Sequence, residues 1–332
     1  MLNKIDEANE TAATSEFTED VLPSLAAWAG QGLKTALVSL VGIEGGAPRP
    51  LGAQMAVAED GRAAGFISGG CLEGALIAEA QIAISEGENR LVRYGAGSPY
   101  IDVRLPCGSG LDIYIDQSDA PRIAGEMAAL SRSRQPFRVR MNLRDGHAQI
   151  IPLVGKAGDQ NRTYRNGDEF SRAYWPQIRL ALIGAGPAAG YLATLAAQIG
   201  WAVDLVTPNA AELGFDAIPG VVVRELHGQA FASAVACDAW TAGAVVFHDH
   251  EWEIPVIAAL LRTGCFYIGA VGSRRVHELR LQHLRELGFG EEQLGRIRGP
   301  AGLVGQTKSP PTLAVSVLAE MVAAARDAGF NS

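Results

Sequence analysis

A chain of 332 residues is too long for one ordinary core and suits two domains of roughly 150 residues each. With 48% hydrophobic and 19% charged residues it is globular, and a net charge of −8 argues against general binding to nucleic acid or an anionic membrane. Residues 1–20 are polar, without the apolar core of a signal peptide, and no run approaches the roughly 18 apolar residues of a membrane helix, so a cytoplasmic protein is expected. The four cysteines, Cys71, Cys107, Cys237 and Cys265, are scattered in a way that suits reduced thiols better than a disulfide framework or a zinc site.

Taken in order, residues 21–28 read as a short amphipathic helix before a strand at 35–43. The glycine- and proline-rich loop 44–52 follows, with Arg49 at its middle. Residues 54–58 and 63–68 read as a hairpin turned by Asp60-Gly61, a dipeptide that tolerates positive φ. A strand running to Ile67 then meets Ser68-Gly69-Gly70-Cys71, and a helical pattern over 72–86 begins directly after the cysteine. Strands at 90–94 and 111–115 flank a second glycine-rich loop, Leu105-Pro106-Cys107-Gly108-Ser109-Gly110. A helix at 120–132 and a hairpin over 137–143 and 148–153 complete an N-terminal mixed α+β domain, 20–153. Residues 154–177 lose the apolar pattern and read as a linker with room for a short hairpin.

From residue 178 strands alternate with helices. Strands are expected at 178–183, 202–207, 221–224, 244–248 and 266–271, and helices from 187 to about 199, at 230–236, 252–262, 274–287 and 310–325. That alternation implies α/β architecture: a C-terminal Rossmann-like, doubly wound parallel sheet over 178–328.

Four sets of residues invite a chemical reading. Cys71 sits where a helix begins, a position at which unpaired amides and the helix dipole favour an anion, although Glu73 in the same turn works against a thiolate. Cys71 and Cys107 both lie among glycines at element ends, unlike Cys237 and Cys265, which read as small buried residues. Gly184-Ala185-Gly186, followed by Ala189, fits the dinucleotide fingerprint in its strand-turn-helix context. The acidic residue expected about 20 positions on to hold a ribose hydroxyl is missing: Thr207 takes its place and Asp204 comes too early. NAD(P)-dependent redox chemistry is therefore the weaker reading, and a phosphate-bearing ligand the stronger. Gly272-Ser273-Arg274-Arg275 forms a helix start suited to phosphate or carboxylate, or a plain N-cap with a solvated basic turn. His248-Asp249-His250 does not converge easily on a metal, and Asp249 reads as an N-cap.

Several of these motifs, in this order, resemble one family. Gly45-Gly46-Ala47-Pro48-Arg49, Ser68-Gly69-Gly70-Cys71-Leu72-Glu73-Gly74, Pro106-Cys107-Gly108, Gly184-Ala185-Gly186, the run from Tyr267 to Arg275 and Leu318-Ala319-Glu320 are similar to the xanthine dehydrogenase accessory proteins of the XdhC/CoxI type. The resemblance implies a molybdenum cofactor chaperone more than a turnover enzyme. Such a protein binds the molybdopterin cofactor, works with a cysteine desulfurase that supplies its sulfido ligand, and delivers it to an apo-molybdoenzyme of the xanthine dehydrogenase type. By position, Cys71 and Cys107 would be the family's paired motif cysteines and would contact molybdenum or handle sulfur. Gly69, Gly70, Arg49, Gly184, Gly186, Ser273 and Arg274 would hold the rest of the cofactor, and a homodimer is expected. The sequence departs from the family pattern at Ser109, at Thr207-Pro208-Asn209 and at Leu303-Val304.

Overall fold

The computed structural model describes residues 19–98, 109–154, 162–208, 210, 218–225, 236–247, 250–305 and 307–330, the side chains of His250 and Glu251 excepted. The chain divides between Trp175 and Pro176 into two compact units.

Unit 1 is built on an antiparallel five-stranded sheet, order β3-β2-β1-β5-β4. Its strands are β1 (Thr35–Glu44), β2 (Gln54–Ala58), β3 (Ala63–Gly65), β4 (Arg90–Gly95) and β5 (Gly110–Asp116). Helix α2 (Glu73–Glu86) covers one face; α1 (Leu22–Gly30) and α3 (Asp119–Arg132) lie on the other. The period of two in β1 shows directly: Ala36, Val38 and Leu40 pack with Leu76 and Ala80 of α2, whereas Leu37 packs with Leu25 and Ala120. Because both faces are covered, β1 is buried without a break from Thr35 to Val41 and mostly apolar, in place of an alternating pattern.

A second antiparallel sheet follows, order β7-β6-β9-β8, from β6 (Phe137–Asn142), β7 (Ala148–Pro152), β8 (Tyr164–Asn166) and β9 (Glu169–Tyr174). Phe137, Met141, Phe170 and Tyr174 pack against Ile123 and Met127 of α3, and the Phe137 and Tyr174 rings stack at 4.7 Å. The stretch read as a linker with room for a short hairpin contains that hairpin, β8 and β9, which completes this sheet. β9 pairs with β6 along its whole length, from Phe137 opposite Tyr174 to Asn142 opposite Glu169. Its polar residues weaken its apolar pattern: only Phe170, Ser171 and Tyr174 are fully buried.

Unit 2 is a parallel six-stranded sheet, order β12-β11-β10-β13-β14-β15. The strands are β10 (Arg179–Gly184), β11 (Ala202–Thr207), β12 (Val221–Glu225), β13 (Thr241–Val246), β14 (Tyr267–Ala270) and β15 (Ile297–Arg298). Numbered within the unit, the order is 3-2-1-4-5-6, the Rossmann arrangement, whose strand order reverses between β10 and β13. Helices α4 (Pro187–Gln198) and α8 (Pro310–Asp327) pack on one face; α5 (His250–Leu261), α6 (Arg274–Glu286) and the short α7 (Glu291–Leu294) pack on the other. The expected doubly wound sheet is present. β13 starts three residues earlier than expected, where buried Thr241 pairs with Arg179. The helix expected at 230–236 lies outside the described residues, apart from its last position.

Candidate functional site

The glycine loops of unit 1 leave one edge of its sheet. Glu44 and Gly95 both pair with Gly110, Ser39 pairs with Gln54, and Met55 pairs with Gly65. The end of β1, the start of β2, the ends of β3 and β4 and the start of β5 therefore lie on a common side. The loops that leave there contain Gly45–Arg49, Ser68–Cys71 and the segment between β4 and β5. Gly45 packs against Ser109: a Cβ built on it would lie 3.6 Å from the Ser109 Cα.

Around Cys71 the backbone is organised by one carboxylate. Glu73 Oε1 accepts the N–H of Ser68 at 2.7 Å and of Ile67 at 3.2 Å; its Oε2 accepts the Ser68 hydroxyl at 2.5 Å and the Leu72 N–H at 3.2 Å. Ser68 Oγ in turn accepts the Leu72 N–H at 2.9 Å. These bonds explain why β3 stops at Gly65 although the apolar pattern runs on to Ile67: the amides of Ile67 and Ser68 are committed to Glu73 instead of a neighbouring strand. They also move the helix start to Glu73, with Leu72 at the N-cap. The anion seated at this helix end is thus the Glu73 carboxylate. Burial raises its pKa, but the Ser68 hydroxyl and the amides of Ser68, Glu73 and Ile67 outweigh burial and hold it below the usual glutamate value.

Gly69, Gly70 and Cys71 are exposed, while Ser68 and Leu72 on either side are buried. Gly70 has φ +106°, a left-handed conformation that favours glycine, and a Cβ on Gly69 or Gly70 would meet nothing within 4 Å. The result is a thiol beside open backbone, anchored at both ends. Such a surface lets a ligand approach main-chain amides directly.

Arg49 is placed close by through Phe66: its guanidinium carbon lies 4.3 Å from the centre of that ring. The same guanidinium makes a two-pronged ion pair with Glu19, with Nη1 2.7 Å from Oε1 and a second contact from Nη2 to Oε2. Arg49 therefore braces the strand that leads to Ser68, its charge already met. Cys107 lies outside the described residues. Among the described residues, no three His, Cys, Asp or Glu side chains converge as a metal site.

In unit 2, Gly184, Gly186, Ser273 and Arg274 all stand at the C-terminal edge of the parallel sheet, where such sheets take their ligands. Gly184 ends β10 so close to β13 that a Cβ would lie 2.3 Å from the Val246 carbonyl oxygen. Gly186, at φ +80°, is the N-cap of α4 with open space above it. Ser273 caps α6 by accepting the Val276 N–H at 3.2 Å; Arg274 and Arg275 are exposed and make no ion pair among the described residues.

At the end of β11, Thr207 is fully buried, and its hydroxyl has no partner among the described residues. It lies on the α4 side of the sheet, two residues after Leu205, which packs against Ala189 and Leu192. Asp204 is engaged elsewhere, with Arg224 Nη2 at 3.2 Å and Arg179 Nε at 3.5 Å. Among the described residues of β11 itself, no free carboxylate stands at the position where a ribose diol would be held. The turn after β10 and the end of β11 offer backbone amides and a hydroxyl, a set suited to phosphate.

The motif residue Glu320 has a structural task that sequence did not reveal. Its Oε2 accepts the buried Tyr267 hydroxyl at 2.6 Å and the Gly302 N–H at 2.9 Å, which fixes the loop after β15 to α8. Burial first, and then this bond, push the Tyr267 phenol pKa up. The His248-Asp249 pair and the side chain of His250 lie outside the described residues. Cys237 and Cys265, expected to be small buried residues, are neighbours in unit 2: Cys265 is in the core and Cys237, partly exposed, packs against it.

Comparison with known proteins agrees with this layout. The family description "XdhC Rossmann domain" matches residues 180–321, and "XdhC and CoxI family" matches residues 28–95. The molybdenum cofactor insertion chaperone PaoD of Escherichia coli (strain K12) is 39% identical over 287 residues, covering 86% of this chain and 81% of its own. A probable xanthine dehydrogenase component of Bacillus subtilis (strain 168) is 25% identical, over 86% of this chain and 92% of its own. A crystal structure of a xanthine dehydrogenase from Bacillus halodurans superposes with a TM-score of 0.73 at 21% identity, over 92% of this chain and 96% of that one, and shares its fold. With the Ser68–Cys71 loop in one unit and the Rossmann turn in the other, the chain belongs to the XdhC and CoxI family.

Proposed function

We propose that this protein is a molybdenum cofactor chaperone: it takes up the cofactor as cargo, supports its sulfuration and passes it to an apo-molybdoenzyme of the xanthine dehydrogenase type. The observation that carries the proposal is the Cys71 loop, an exposed thiol on two open glycines held by the buried ends of a Glu73 clamp. A relative at 39% identity named as a molybdenum cofactor insertion chaperone supports it. Thiolate is a soft ligand suited to molybdenum and to sulfur exchange. Gly69 and Gly70 would let the pterin approach the backbone, and Cys107 would be the second thiol. The Gly184-Ala185-Gly186 turn, Ser273 and Arg274 would take the cofactor's phosphate. Arg49, held by Glu19 and Phe66, would offer its guanidinium to the anionic cofactor only by releasing Glu19. A cysteine desulfurase as sulfur donor and a homodimer complete the proposal.

The test is metal and pterin analysis of full-length protein purified without oxygen from cells that make the cofactor. Folded Cys71→Ser and Cys107→Ser proteins are expected to carry far less molybdenum and pterin than the parent. Undiminished loading in both would refute the reading. An NAD(P)-dependent oxidoreductase is the competing class; it requires saturable NAD(P)H binding, which the missing carboxylate at Thr207 argues against.

A further inference from the structure

Cys237 and Cys265 are brought together by the strand order of unit 2. Cys237 lies just before β13 and Cys265 just before β14, and those strands are parallel neighbours with Ala242 opposite Tyr267. The segments that feed them run side by side: the Phe266 N–H donates to the Thr241 carbonyl at 3.1 Å, and a Cβ on Gly264 would lie 3.6 Å from the Ala239 nitrogen. There Cys237 packs against the cluster that contains Cys265, whose sulfur accepts the Thr263 hydroxyl at 3.1 Å. Arg296 fixes the turn that carries Cys265, donating to the carbonyls of Leu261, Thr263 and Cys265 at 2.8, 3.0 and 3.1 Å.

Both thiols are reduced; Cys237 is partly exposed and Cys265 buried. The neighbouring Cys237 thiol, then the Thr263 hydroxyl and the charge of Arg296, outweigh burial and pull the Cys265 thiol pKa down, whereas the neighbouring Cys265 and burial push Cys237 up. An isolated core cysteine has no such partner. The pair stands at the N-terminal ends of its strands, across the sheet from Gly184 and Ser273.

We propose that Cys237 and Cys265 form an oxidation site that closes to an intramolecular disulfide when the protein meets a hydroperoxide. One of the two sulfurs attacks a peroxide oxygen, the O–O bond breaks, and a sulfenic acid and one water (or alcohol) result. The other sulfur then displaces the sulfenic oxygen, which leaves as a second water. Two S–H bonds are lost and one S–S bond forms, and the peroxide accepts the two electrons and two protons. This reaction is separate from cofactor handling and does not depend on the proposed function.

The test treats native full-length Cys71→Ser/Cys107→Ser protein with hydrogen peroxide, then quenches, denatures and alkylates it. Expected are complete loss of free thiols, a mass lower by two hydrogens with no added oxygen, a peptide linking Cys237 to Cys265, and full reversal by dithiothreitol. The same linked peptide is expected from oxidised parent protein, which needs no variant to fold. Retention of both thiols under conditions that oxidise Cys71 in the parent would overturn the proposal. So would oxygen added to single cysteines without a link, or a link between two molecules.

Discussion

Replacing Glu73 by alanine isolates the clamp on the Cys71 loop. In the native protein the carboxylate accepts the amides of Ile67 and Ser68, residues at 0% and 2% exposure, together with the Ser68 hydroxyl and the Leu72 amide. The Leu72 amide keeps a second acceptor in Ser68 Oγ, so two buried main-chain donors lose theirs. An unsatisfied buried donor costs about 1–3 kcal/mol, and with water admitted on the exposed side the pair comes to about 2–4 kcal/mol. Glu73→Gln retains an oxygen for Ser68 and Ile67 but gives up the charge, which makes such bonds roughly twice as strong, so it costs about 1–2 kcal/mol. Urea unfolding followed by hydrogen exchange reads both effects: the midpoint falls in the order parent, Gln, Ala, and exchange accelerates first at Ile67 and Ser68. The pH dependence has a definite sign. Because the folded pKa lies below the ordinary value, the stabilisation is present above about pH 4.3 and is lost as pH falls through the folded value. The Gln variant should therefore lose less stability than the parent in that acid window. A Glu73→Ala protein with the parent's urea midpoint and unchanged exchange at Ser68 would refute the clamp.

Three further outcomes are expected. Gly70→Ala, forced to φ +106°, should cost about 1–3 kcal/mol, whereas Gly69→Ala, with open space and ordinary backbone, should change the urea midpoint little. Gly184→Ala places a methyl 2.3 Å from the Val246 carbonyl oxygen and should lower the thermal midpoint by an overpacking cost of about 1–3 kcal/mol or more, seen in unit 2 by hydrogen exchange. Tyr114, its phenol pushed up to about 12 first by burial and then by Asp116, should stay neutral in an ultraviolet titration after exposed tyrosines have ionised. Its folded pKa is raised, so the stability it contributes is full below about pH 10 and is lost as pH rises towards 12.

What sequence reveals and conceals follows physical range. The Gly184-Ala185-Gly186 turn is legible because strand, turn and helix are contiguous and each glycine answers a local constraint, one steric and one torsional. The two halves of the fold are legible from apolar periodicity. β15 is not, because two residues carry no period, and the apolar pattern of β9 is weakened by its polar positions. Partners far apart in sequence are out of reach: Glu19 for Arg49, Glu320 for Tyr267 and Gly302, and Cys265 for Cys237. Glu73 is close enough to Cys71 to be weighed, yet its role is concealed. Its charge counts against a thiolate at the helix start, but the side chain turns back and spends itself on main-chain amides.

The pairing of β1 with β5 bears on how this scaffold can vary. Those strands flank more than sixty residues of chain, and the glycine loops leave the sheet at one edge between them. Closure entropy grows slowly with loop length, by about 0.6 kcal/mol for each doubling. The loops can therefore lengthen, shorten or change composition while the central pairing survives nearly intact. A sheet of this kind can evolve a new recognition surface without first finding a new fold.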